Sequence, residues 1–119
     1  MARRPARQTK THNYLLRSKH GYQLYRFLAL VDLFMVKIDT YGFATIRKSD
    51  GTFAGNAQWA MQTLGDRGIV RSVKFNGKWG IEITSEGREA MAGFVEVDTG
   101  GRPTGYSEIW AEINATEVY

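Results

Sequence analysis

Two β-rich runs, Ile69–Phe75 (IVRSVKF) and Lys78–Thr84 (KWGIEIT), are separated by nothing but Asn76-Gly77. A two-residue type I′ turn needs φ > 0 at both central positions, which Asn and Gly accept at least cost, so this spacing predicts a tight β-hairpin. Any fold open to the chain must accommodate that ribbon, and its tip carries Lys74 and Lys78 close enough to meet a phosphate. Thr84 or Ser85 then suits the N-cap of a helix from about Glu86 to Phe94, with Glu86 and Glu89 near its positive end.

Ahead of the hairpin, Ala57, Ala60, Met61 and Leu64 recur at i, i+3, i+4 and i+7, predicting a helix over 54–64. Its other face shows Asn56, Gln58, Trp59, Gln62 and Thr63, mostly uncharged hydrogen-bonding side chains. A merely solvated face usually carries Lys and Glu, so this one reads as a contact surface. The bulk of Trp59 suits a half-buried position. Gly65 and Gly68 supply the left-handed residue that helix C-termini favour.

Upstream, His20 to Val36 reads as a long helix, apolar on more than one side and so either a core or a dimerisation helix. Gly42 favours a bend. Phe43–Asp50 (FATIRKSD) fits a short helix or a strand, since Thr45 and Ile46 are β-branched; helix is adopted because the helical stretch 54–64 comes soon after it. Asp50-Gly51 signals a turn or a second hairpin. Val95–Asp98 reads as a short strand, 99–105 as linker, and 106–119 as helix or strand.

A chain of 119 residues fits one domain that folds without metal or disulfide. Cysteine is absent, which excludes thiolate chemistry. The longest apolar run, Phe27–Val36, is broken by Asp32 and is too short to span a bilayer. No apolar stretch follows the basic N-terminus as a secretory signal requires. The expectation is a soluble cytoplasmic protein. The net charge of +4 conceals a strong asymmetry: residues 1–78 hold 14 Lys and Arg against 4 Asp and Glu, and residues 79–119 hold 2 against 8. Such polarity implies a basic face or arm for a polyanion, with an acidic end pointing elsewhere.

Leu64-Gly-Asp-Arg-Gly68-Ile69-Val70 resembles the L-x-x-x-G-[IL]-[VI] ending of a recognition helix in winged helix-turn-helix proteins. Ile83-Thr84-Ser85-Glu86-Gly87-Arg88 resembles the [LI]-T-x-x-G-[RK] segment that leaves their wing. The nearest flavour is that of MarR/PadR-like regulators and small bacterial or phage winged-helix proteins. The resemblance implies an α+β fold with a three-helix core and a hairpin wing. The division expected is a basic arm over 1–13, a winged-helix domain over 14–98, and a linker with an acidic C-terminal extension over 99–119.

It further implies a dimeric DNA-binding transcriptional regulator, nucleoid-associated, with helix 54–64 in the major groove and hairpin 69–84 as wing. Carried over by position, the base-contacting candidates are Thr52, Asn56, Gln58, Trp59 and Gln62; Asn and Gln suit bidentate contact with adenine. Arg3, Arg4, Arg7, Lys10, Arg47, Lys48, Arg71, Lys74 and Lys78 are the phosphate candidates, which orient without carrying sequence information. Two other readings stand beside it. One is a winged-helix adaptor or inhibitor that binds a partner protein, with the C-terminal extension as a contact; the other is an RNA- or ribosome-associated basic protein. No enzyme, cofactor, metal or membrane partner is expected: His12 and His20 have no acidic neighbour in sequence, and no nucleophile or phosphate-loop motif is present.

Overall fold

The computed structural model describes residues 10–96 and 101–115, and within them the hairpin forms as its turn residues dictate. Strands β4 (Val70–Phe75) and β5 (Lys78–Ile83) pair antiparallel from Val70 opposite Ile83 to Phe75 opposite Lys78. Asn76 and Gly77 close the turn at φ of 51° and 79°. Together with helix α4 (Ser85–Val95), this hairpin is the part of the chain that matches its sequence-based expectation most closely. Thr84 caps α4: its hydroxyl accepts from the Gly87 amide at 3.1 Å. Its backbone N–H donates to the Ile69 carbonyl at 3.0 Å. α4 continues through Val95, with Glu96 as its C-cap, where a strand was expected over 95–98; 97–98 lie outside the described residues.

The described residues form an α+β fold of five helices and two small antiparallel sheets. A single turn, α1 (Tyr14–Arg17), precedes α2 (Gly21–Asp32). The latter is shorter than the hydrophobic pattern of 20–36 implied. It ends in a Schellman motif: the Phe34 amide donates to the Val31 carbonyl and the Met35 amide to the Leu30 carbonyl. Phe34 takes the left-handed position at φ 61°, leaving Val36 to open strand β1 (Val36–Ile38).

The short helix expected over 43–50 is a strand. Residues Ala44–Arg47 form β2 at the centre of a three-stranded sheet, between β1 and β3 (Phe53–Asn56). Ile46 sits opposite Val36 on one side and Gly55 on the other. Two ladders satisfy this backbone, and β-branched Thr45 and Ile46 suit a pleated surface better than a helical one. Asp50-Gly51 therefore closes a hairpin. Helix α3 (Gln58–Asp66) starts four residues later than its expected boundary, because Ala54–Asn56 are committed to β3. It is preceded by a strand rather than by a helix and a turn.

Both helix faces point where their periodicity placed them. Ala57, Ala60, Met61 and Leu64 are buried with Leu24, Phe27, Leu28 and Leu30 of α2, and Ile69, Val70 and Ile83 close the core from the hairpin side. α3 ends in a second Schellman motif, with Gly68 at φ 71° and the Ile69 amide bonded to the Leu64 carbonyl at 2.9 Å. The segment read as linker and extension carries α5 (Tyr106–Ala115), whose Ile109 and Ile113 are buried in the same core. α5 lies on α2, fastened by hydrogen bonds from Tyr22 Oη to the Pro103 carbonyl and from Tyr25 Oη to the Thr104 carbonyl. At its far end Asn114 Oδ1 accepts from both the amide and the hydroxyl of Ser49. No helix among the described residues is long and apolar enough to cross a membrane.

Candidate nucleic-acid interface

Helix α3 turns Ala60, Met61 and Leu64 inward, so the geometry of 100° per residue sends Trp59, Gln62 and Asp66 outward, with Gln58 and Thr63 on the flanks. Trp59 is 51% exposed. Its indole and the His20 imidazole form a T-shaped pair, with centroids 5.3 Å apart and planes at 86°. His20 belongs to the sharp corner between α1 and α2, and that corner forms the opposite wall of a cleft of about 530 Å³. Lys10, Tyr14, Arg17, Lys19 and His20 line it from the corner; Trp59, Thr63 and Arg67 line it from α3.

Among the described residues no carboxylate lines this cleft. Lys10, Arg17, Lys19 and Arg67 have no carboxylate within ion-pair distance among the described residues, while Arg26, Arg71 and Arg88 are each paired with one. The Arg67 guanidinium lies 5.5 Å over the Tyr14 ring, a cation–π contact that holds it at the mouth. Asp66 precedes Arg67 on the outer face of α3, and Glu86 lines an adjoining depression together with Lys10, Tyr14 and Arg67.

The structure divides the five base-contacting candidates. Trp59 and Gln62 stand on the outer face of α3. Gln58 is on the helix but turned to a structural task, its Oε1 accepting from the Ala44 amide at 2.9 Å and so tying α3 to β2. Thr52 and Asn56 are not on the helix. Thr52 sits in the β2–β3 turn with its amide on Asp50 Oδ1, and Asn56 ends β3 opposite Thr45. A four-residue strand, ~13 Å long, separates Thr52 from the start of α3.

The phosphate candidates also scatter. Arg71 is neutralised by its cross-strand neighbour Glu82. Lys74 Nζ lies 5.5 Å over the Trp79 ring, and Lys78 is exposed at the hairpin tip. Arg47 packs over Phe53 at 5.4 Å on the three-stranded sheet, with Lys48 following it. Lys10 lines the cleft, whereas Arg3, Arg4 and Arg7 lie outside the described residues. Reasoning from sequence missed Arg17, Lys19 and Arg67, the cations that the fold gathers with Lys10, and His20 beside them. Their one visible signal was the run Arg17-Ser-Lys-His20 immediately before the long helix.

A second concavity, of about 550 Å³, runs between β1 and the outer edge of β5. Phe34, Val36, Ile38, Trp79 and Ile81 give it an apolar lining, flanked by Lys37 and Lys78. No group of three His, Asp or Glu side chains is placed to hold a metal ion among the described residues. Comparison of the chain with models of known protein families, with curated proteins and with solved structures found no match to any of them.

Proposed function

We propose that this protein binds nucleic acid, as a DNA-binding regulator of winged-helix type. The observation that carries the reading is the uncompensated cationic cleft along α3: four Lys and Arg side chains, an exposed indole and, among the described residues, no lining carboxylate. Phosphates supply most of the affinity in such interfaces, and clustered cations that lack partners of their own supply the counterion release. The order of elements also supports it. Helix α3, the β4–β5 hairpin and α4 follow one another as recognition helix, wing and next helix do in the winged helices that the chain resembles. The β2–β3 hairpin then stands where the second helix of that fold would be.

In this reading the outer face of α3, with Trp59, Gln62 and Thr63, approaches the bases. Lys74 and Lys78 of the wing, and Lys10, Arg17, Lys19 and Arg67 of the cleft, approach the backbone. Thr52, Asn56 and Gln58 take no part in base contact, and Arg71 contributes little because Glu82 already holds it. The test is a titration against random duplex across a salt series. Log K should fall linearly with log salt, by ~0.9 per phosphate neutralised. Absence of binding at ~50 mM salt, where such proteins bind non-specifically, would sink the proposal.

One observation favours a second reading, a module that docks on a partner protein, a second copy of the chain included. Phe34 is 87% exposed in a backbone conformation that disfavours any side chain, beside the apolar groove of Trp79 and Ile81. Contiguous exposed apolar surface is what interaction sites present, and Phe34 continues the groove rather than standing alone. Under the first reading Phe34→Gly leaves duplex affinity unchanged. A loss of protein–protein association with duplex binding intact would favour the second.

A further inference from the structure

We infer that the cleft between the α1–α2 corner and α3 seats an unpaired nucleotide of a single strand, with the base against Trp59 and the adjoining phosphates on Lys10, Arg17, Lys19 and Arg67. The inference rests on the nucleic-acid reading above, but not on duplex recognition or on the wing. Its first ground is shape. Trp59 lines a concavity whose far wall is the Lys10–His20 corner. A space of about 530 Å³ is that of a small-molecule site, able to take one nucleotide.

The second ground is chemistry. Proteins that hold single strands combine a cationic groove that tracks the backbone with aromatic faces that receive bases. Both are present and partly pre-arranged: the T-shaped contact with His20 steadies the indole while half of it stays exposed, and Tyr14 steadies Arg67. The third ground is the contrast in pairing. Arg26, Arg71 and Arg88 are engaged with Glu112, Glu82 and Asp32, whereas the cleft cations have no such partner among the described residues. Glu86 in the adjoining depression repels phosphate, so the strand leaves the cleft on the other side.

The test uses the full chain with dodecathymidylate, dodecauridylate, a twelve-base-pair duplex and inorganic polyphosphate, read by anisotropy and tryptophan fluorescence. Both single strands should quench tryptophan emission. Trp59→Ala should weaken them by roughly 5- to 150-fold, the range of one lost stacking contact, while Trp59→Phe restores most of the affinity. Polyphosphate should be insensitive to Trp59→Ala, and Arg17→Ala with Lys19→Ala should weaken every polyanion. The preferred strand, DNA or RNA, names the source, and either preference supports the site. The proposal falls if Trp59→Ala leaves single-strand affinity unchanged, or if alanine and phenylalanine behave alike at this position. Should Trp59→Ala fail to fold, the exposed pair Arg17→Ala and Lys19→Ala carries the test, and undiminished single-strand binding by that variant overturns the site. Failure of the duplex arm alone removes the duplex reading and leaves the cleft; failure of the single-strand arms alone does the reverse.

Discussion

Two residues with the same backbone requirement but different side chains show how closely the fold depends on single positions. At the end of α3 the left-handed position belongs to Gly68; at the end of α2 the equivalent position belongs to Phe34. A side chain there costs about 1–2 kcal/mol relative to glycine. Phe34 buries almost nothing in return. Phe34→Gly should therefore raise stability by about 1 kcal/mol in urea denaturation, less whatever the glycine adds to unfolded-chain entropy. Lowered stability would mean that the ring has packing partners within the fold. Gly87 is the opposite case. A Cβ there would stand 2.3 Å from the Ile69 carbonyl oxygen and 2.6 Å from Ile83 Cγ2, so the first turn of α4 seats directly on the hairpin base. Gly87→Ala should destabilise by about 1–3 kcal/mol, the cost of forcing a methyl into packed backbone; an unchanged denaturation midpoint would contradict this seating.

At the level of elements, three side chains fasten the ends of α2, α4 and α5 together. Arg88 donates to both Asp32 oxygens, and the Tyr106 hydroxyl donates to Oδ2 at 2.6 Å. Burial alone would raise the Asp32 carboxyl, but the Arg88 and Tyr106 hydrogen bonds outweigh it and hold the group below its ordinary 3.8. Burial first, and then the bond to Asp32, push the Tyr106 hydroxyl above its ordinary 10.0. The signs differ. Asp32 contributes stability above about pH 4 that disappears as pH falls through its lowered value. Tyr106 contributes stability below about pH 10 that disappears as pH rises through its raised value. Asp32→Asn should flatten the acid limb of a stability-against-pH curve, and Tyr106→Phe the alkaline limb. The Arg88 side chain is more than half exposed, so the acid effect should shrink with added salt. An acid limb identical in wild type and Asp32→Asn would exclude this triad as its source.

The legibility of these elements in the sequence tracked the range of the forces that make them. The hairpin, the capped α4 and the end of α3 depend on turn chemistry within a few residues, and they stood where Asn76-Gly77, Thr84 and Gly68 put them. β2 was missed because FATIRKSD has no decisive propensity of its own. Pairing with β1 and β3 settles it, and no local window contains that pairing. The cleft was missed for the same reason. Arg17 and Arg67 are fifty residues apart in the chain, and only the crossing of the α1–α2 corner over α3 unites them.

For the molecule as a whole, charge is segregated in space as well as in sequence. Glu112 of α5 neutralises Arg26 on the flank of α2, while the cations around α3 stay uncompensated among the described residues. If the four cleft cations each neutralise one phosphate, single-strand binding should show a slope of roughly −2.8 in log K against log salt, at ~0.7 per phosphate. Duplex binding that also engages the wing should be steeper. Lys74→Ala with Lys78→Ala should lower the duplex slope and leave the single-strand slope alone; an equal fall in both would place the hairpin tip in the same contact as the cleft. The position of α5 has a consequence for how the chain is born. Ile109 and Ile113 complete a core begun by Leu15 and Leu24, so α1 and α2 wait until α5 has left the ribosome before their apolar surface is covered. Until then a nascent chain displays Tyr22 and Tyr25 without the 103–104 segment and α5 that they fasten. Slowing translation over codons 100–115 should prolong that exposure and increase chaperone capture and aggregation.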